Sequence, residues 1–470
     1  MPNPTGRGTV GLLWSCIITF ALCVWTAVHP DVIWARYPSS QLGYKLWWTL
    51  WAAFAPEFTV AYAMFQRKQA SDILKIWRQS WADEVGEEVD EHSLSRAELG
   101  AVNQGRAALS KRDWLGEPGA FFVVMSGFVI VDGDGVKPGY EAPIVAVTAP
   151  GFTALLQLGI IQELVRENKL RREHFDSRNI GDRSKASIVA KAIVGAQLLW
   201  TVIQCIGRKA SNLPVTLLEV HVLIHIAYTI LAYFFWWHKP LDVAEPIAIP
   251  LDSRHRAKLS QAEPAFFASI EDGITLQNRD SLFVKSRTVF PGPLSPVSMI
   301  SYDLASALDH DTRLWSTIMA IINGALHCVA WLSHFPSPAE KWLWRVSSLG
   351  IAGLNIILYA ALMPRSWGVR GDALMLLVAT RLVAIPNCSP WRALRESLTV
   401  VLPQFNRGST ERHPSSIGYP GVVRAILWLL YLTLYLSCIL FVTIESVISI
   451  RSLPAGSYQS VTWSNYFPHF

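Results

Sequence analysis

Residues 214–237 read PVTLLEVHVLIHIAYTILAYFFWW and run directly into His238, Lys239 and Pro240. A helix this apolar and this long reaches across a bilayer. It closes on an aromatic belt and a basic stop, the usual finish at the headgroups. It also carries Glu219, His221 and His225. An ionisable group at membrane depth is costly unless it is neutral, paired or wet, so such groups mark candidate sites. The segment sets two expectations: a chain that lives in the lipid bilayer, and polar chemistry near its centre.

Six more runs have spanning length, at about 8–28, 46–65, 187–207, 314–334, 342–363 and 424–447. The expected fold class is all-α: a polytopic membrane helix bundle of about seven transmembrane helices. It forms a single membrane domain over 1–470, with long cytoplasmic loops at 66–186, 238–313 and 364–421. Composition agrees, since 51% of residues are hydrophobic and only 16% charged, against about a quarter in soluble domains. Apolar stretches at 119–131, 150–164 and 372–386 are too short to cross and read as core or interfacial helices. A strand at 119–131 is compatible with its composition, but nothing nearby offers a partner. The loop 239–313 shows no periodicity and reads as irregular.

Lysine and arginine set the orientation. With the N-terminus in the cytoplasm, the cytoplasmic parts hold 32 basic residues and the opposite side 6. The scheme is N-in and C-out, in the endoplasmic reticulum or another endomembrane, with the C-terminus luminal or extracellular. Arg208–Lys209 is its local contradiction. The sequon Asn387-Cys388-Ser389 falls in the cytoplasm. The first apolar run reads as a retained anchor, because it is long for a signal peptide and lacks a small-residue cleavage site. A net charge of +5 gives no basic field for nucleic acid. The loop 66–118 has basic ends and an acidic middle, which fits a solvated helical hairpin or a docking surface for a protein partner. The six cysteines form no CxxC pair and read as small buried hydrophobes.

The polar groups inside the spans carry the functional reading. Glu57 follows Pro56 in the second run, where proline kinks a helix. His221 and His225 are four apart and share a face, which Tyr228 continues; Glu219 lies nearly opposite. An i,i+4 histidine pair binds zinc when a third ligand arrives from elsewhere, and His327 is the candidate. Gln197, Gln204, Asn323 and Asn355 add amides that join helices. Together they suggest a polar cavity in an apolar shell. Asp132-Gly133-Asp134-Gly135 reads as a turn, and Arg381 as a snorkelling side chain. No Walker loop, Rossmann fingerprint, G-x-S-x-G, HExxH or Asp-rich diphosphate motif occurs.

The stretches LLWSCIITFALCVWTAVHP, IGDRSKASIVAKAIVGAQLLWTVIQCIGR, LPVTLLEVHVLIHIAYTILAYFFWWHKPLDVAEPI, GALHCVAWLSHFPSPAEKWLWRVSSL and RSLPAGSYQSVTWSNYFPHF resemble a widespread, mostly uncharacterised family of fungal multi-span integral membrane proteins. The resemblance implies a fungal source and transfers no catalytic residue. The residues point to acid–base chemistry on a lipophilic small molecule; by analogy with small membrane-bound fungal cyclases, the expected function is a cyclase or isomerase of specialised metabolism acting on a terpenoid-like or polyketide-like substrate. Glu57, Glu219, His225 and His327 would carry it, with no cofactor. One alternative is an intramembrane zinc hydrolase with His221, His225 and His327 as ligands. Another is a non-enzymatic scaffold, receptor-like protein or transporter.

Overall fold

The structure is a computed structural model, and it describes residues 7–32, 38–82, 111–132, 145–147, 149–175, 180, 188–241, 243, 246–262, 283–285, 310–362 and 421–461. The stretch 372–386, Arg381, the Asn387 sequon and the acidic part of the 66–118 loop lie outside these residues. The described chain is mostly helical. Four helices are long and apolar enough to cross a membrane: Thr9–Ala27, Leu217–Phe235, Leu314–Leu332 and Leu430–Ser452. Besides a helical hairpin described below, six long helices make the bundle: α1 (Thr9–Ala27), α7 (Ile188–Ala210), α8 (Leu217–Phe235), α10 (His310–His327), α11 (Pro338–Leu362) and α12 (Gly421–Ile448).

Side-chain pairs give the direction of each helix. Arg7 meets Glu219, Phe20 packs on His221 and His225, and Thr229 bonds the Cys23 carbonyl, so α1 and α8 are parallel. Tyr228 bonds the Met319 carbonyl while His221 meets His327, so α10 runs against α8. Asn355 bonds Tyr431 and Glu340 pairs with Arg451, so α12 runs against α11. Gln197 reaches Thr19 while Arg208 reaches the tail beyond α12, which sets α7 against α1. Gly324 allows α10 to touch α11, since a Cβ there would lie 2.6 Å from the Ser348 carbonyl oxygen.

The expected second crossing, 46–65, is two helices. α2 (Pro38–Phe54) ends before Ala55, and α3 (Pro56–Ala82) starts after it. Proline has no N–H to give the preceding turn, and it pushes the residue before it out of the helical region. The arms then fold back on each other. Trp48 stacks on Tyr62 with centroids 5.0 Å apart, and Trp51 meets Phe58 at 5.9 Å. The tip lies beside His225, and α3 returns alongside α8 to place Gln66 against Trp236.

The all-α expectation is corrected by a four-stranded sheet, β1 (Phe128–Asp132), β2 (Val145–Val147), β3 (Ile247–Leu251) and β4 (Phe283–Lys285), in the order β3-β1-β2-β4. β1 pairs in parallel with β3, from Phe128↔Ile247 to Asp132↔Leu251. The partner that 119–131 lacked nearby comes from the far side of α7 and α8. So that segment splits into a helix, α4 (Glu117–Val124), and β1, and the 238–313 loop contributes β3 and α9 (Ser253–Ala262) instead of being irregular. The turn between α4 and β1 holds Ser126 at φ 58°, and Gly127 faces the Phe122 ring, where a Cβ would come within 2.5 Å. The stretch 150–164 forms short helices as expected, α5 (Ala149–Gln157) and α6 (Ile160–Arg166). The outer half of α3 enters this layer with Trp77 and Trp81 fully buried among Phe152, Phe175 and Leu115.

Two polar knots, one buried and one partly buried, pin the bundle ends. At one, Lys239 donates to Asp31 at 2.7 Å, to the His29 carbonyl at 2.6 Å and to Gln66 at 2.7 Å. Tyr62 donates to the same aspartate at 2.9 Å. At the other, Arg7 grips Glu219 and the Ser457 carbonyl, and Arg208 donates to the carbonyls of Pro214, Gly456 and Gln459.

Candidate intramembrane acid–base site

The hairpin tip carries Glu57 into the middle of the bundle, where it is 2% exposed. It sits in the first turn of α3, a position that favours an acidic side chain through the helix dipole. Asn323 of α10 donates from Nδ2 to Glu57 Oε2 at 2.8 Å. One turn on, His327 faces the Asn323 carbonyl through Nδ1 at 2.9 Å. A carbonyl only accepts, so His327 is protonated at Nδ1 and its Nε2 is an acceptor. His221 Nδ1 stands 3.2 Å from that Nε2 and donates to it.

His225 extends the cluster. Its Nδ1 lies 3.0 Å from the His221 carbonyl and its Nε2 3.2 Å from the Ala53 carbonyl. A neutral imidazole has one N–H, so only one of these carbonyls receives a donor at a time. The helix break at the tip leaves the Ala53 carbonyl available. Phe20 covers both rings, at 5.7 Å from His221 and 4.7 Å from His225. Trp344 covers His327 at 5.9 Å and donates to its carbonyl.

Within this network three buried atoms have no partner among the described residues: Glu57 Oε1, Asn323 Oδ1 and His221 Nε2. A buried polar atom left unpaired costs roughly 1–3 kcal/mol. Three such atoms in one network leave it with open hydrogen-bonding positions that a small polar guest would fill. The network therefore presents an acid, Glu57, and a basic nitrogen, His221 Nε2, joined through Asn323 and His327.

Four of the five sequence candidates thus meet: Glu57, His221, His225 and His327. Glu219 stands apart. It caps α8 by accepting from the Thr216 backbone at 2.8 Å and hydroxyl at 2.9 Å, and it is paired with Arg7. Its buried position is structural. The three histidines do not aim at one point: His225 faces carbonyls through both nitrogens and His327 does so through one. Among the described residues no group of three His, Cys, Asp or Glu side chains is placed to hold a metal ion. Asn355 bonds Tyr431 between α11 and α12, and Gln197 bonds Thr19, so these amides join helices as expected. Sequence reasoning missed Arg7, Asp31 and Lys239, which lie outside the apolar runs; packing half-buries the first and buries the side chains of the other two. It also missed Thr59, whose hydroxyl carries no signal in an apolar helix.

Residues 1–275 match the model of a family of unknown function (DUF8562). That is more than half of the chain. The chain belongs to this family. The family region contains the hairpin, Glu57, His221 and His225, and it stops short of α10 with Asn323 and His327. The site is thus completed by residues beyond the matched region. No curated protein and no solved structure matches the chain.

Proposed function

We propose that this chain is a multi-pass membrane protein with six crossings and one re-entrant hairpin, and that the hairpin tip delivers an acid to a proton-transfer site at the bilayer centre. The helix directions support the topology. Both described ends of the chain lie at one end of the bundle, and the sheet layer with the long connections lies at the other. Nearly all lysines and arginines then fall on the long-loop side, which makes that side cytoplasmic. Both termini become luminal, in place of the N-in, C-out scheme. Backbone carbonyls solvate the Arg208 guanidinium within the bundle end, so of the Arg208–Lys209 pair only the exposed Lys209 still counts against this sidedness.

The site is that of a membrane-embedded acid–base enzyme, of cyclase or isomerase type, acting on a lipophilic terpenoid-like or polyketide-like molecule. Glu57 Oε1 gives a proton to an alkene or epoxide, and His221 Nε2 takes one from the rearranged product. The proton gained equals the proton returned, so the reaction needs no oxidant or reductant. The observation that carries this reading is the pair of unpartnered atoms, one acid oxygen and one basic nitrogen, in a single buried network. The test is gene deletion with metabolite and lipid profiling, followed by add-back of wild type, Glu57→Gln or His221→Ala at matched protein level. A precursor should accumulate in the deletion, and Glu57→Gln should fail to clear it, with product down about 10²- to 10⁴-fold. Full clearance by Glu57→Gln would overturn the assignment.

A second reading is proton-coupled transport, favoured by the broken helix at Ala55–Pro56, since transporters build midplane sites from discontinuous helices. In that case profiling would show one compound redistributed and none chemically altered.

A further inference from the structure

Beside His225, and distinct from the Glu57–Asn323 contact, lies a small cavity between α1, the hairpin and α8. It is lined by Pro56, Thr59, His225, Tyr228, Thr229 and Ala52, among others. Thr59 is 2% exposed, and its hydroxyl has no partner among the described residues. The Ala52 carbonyl faces the position where Pro56 offers no N–H, so the break deprives it of its in-helix donor. Tyr228 spends its hydroxyl proton on the Met319 carbonyl at 2.6 Å, which leaves its oxygen free to accept. A water-sized space with two to four such groups is where a buried water is held.

We infer that this cavity is a water site, and that water enters it from the long-loop end to exchange protons with His225. The layout gives the direction. Thr59, Tyr62 and Gln66 follow one another up one side of α3, spanning about 10 Å of helix. They end at the Asp31–Lys239 knot. Small residues, Ala63 and Ala232, are fully buried along the same seam. On the other side of the histidines the packing is apolar: Phe20, Cys16, Leu218 and Val222 close it. Polar side chains thus continue from the cavity to the long-loop end, whereas an apolar layer separates the histidines from the Arg7–Glu219 pair.

The use of this water rests on the acid–base reading above, but its presence does not. The two are tested apart. Full-length protein with ¹³C,¹⁵N-labelled His and Thr is reconstituted in phosphatidylcholine bilayers, and polarisation transfer from water is followed by solid-state NMR. Transfer should reach Thr59 and His225 early, and His327, beneath Trp344, several-fold more slowly. Thr59→Val should cut the His225 transfer several-fold, and Thr59→Ser should restore it. Transfer to His225 no faster than to His327, or unaffected by Thr59→Val in a variant with wild-type melting, would overturn the inference. Either result leaves the Glu57→Gln add-back experiment to judge the acid–base reading by itself.

Discussion

Lys239 and Asp31 show what single residues do in this bundle. Their side chains are 0% and 6% exposed, and the ammonium has three acceptors around it. Removing one partner strands the other charge. Lys239→Met is expected to cost about 3–5 kcal/mol, and Lys239→Met combined with Asp31→Leu much less. Thermal unfolding of the four members of this cycle in one detergent checks it; equal losses in the single and double variants would contradict it. Glu219 behaves differently from Glu57 although both are buried acids. Glu219→Gln keeps the capping geometry but loses the Arg7 pairing, so stability should fall while any Glu57-dependent chemistry persists at matched protein level, as profiling of the add-back strains would show. Glu57, His221, His225 and His327 were legible because an ionisable group in an apolar run announces itself. Which of them meet was not legible, because Glu219 and His221 lie two residues apart, yet one caps α8 at the bundle end and the other joins the central network.

At the scale of elements, the hairpin and the sheet were the two features hidden from sequence. Both arms around Pro56 are apolar, so a hydropathy window slides across the break without registering it. β1 has a strand's composition, but its partner follows only after two long helices. α3 joins both features: its 27 residues extend about 40 Å, from the hairpin tip to the tryptophan core of the outer layer. Close approach of α10 and α11 depends on Gly324. Gly324→Val should cost about 1–3 kcal/mol by forcing these helices apart, readable as a lower melting temperature. α9 buries Leu259 and His255 against the layer, and ion pairs flank the contact: Lys258 to Glu163, Lys169 to Asp252, and Arg254 to Glu167. Lys169 holds the Asp252 carboxyl below its ordinary range, and Lys169 with Arg254 does the same for Glu167. A carboxylate depressed by folding stabilises the fold above its unfolded value, and that contribution fades as pH drops through the folded value. Hydrogen exchange in α9, corrected for intrinsic rates, should therefore quicken below about pH 4. High salt should have a similar effect, since the groups are exposed. Exchange that stays flat in acid would contradict this contribution of the ion pairs.

For the whole molecule, apolar run length and the charge asymmetry made a membrane bundle readable in outline. Four helices of spanning length and composition bear that out. The loops 66–186 and 238–313, which read as separate, share one sheet through β1 and β3. That pairing holds both to one end of the bundle, while Arg7, Glu219 and the residues after α12 are tied together at the other. The hairpin is what makes these placements compatible, because a chain that turns back at Pro56 changes sides one time fewer than a chain that crosses there. Sidedness is therefore the direct test. Epitope tags at the N-terminus, at the C-terminus and within residues 83–110 are probed by protease protection in sealed microsomes. The expected result is that both terminal tags are protected together and the loop tag is digested. Terminal tags on opposite sides of the membrane would contradict the re-entrant hairpin and the placement of Glu57 at its tip.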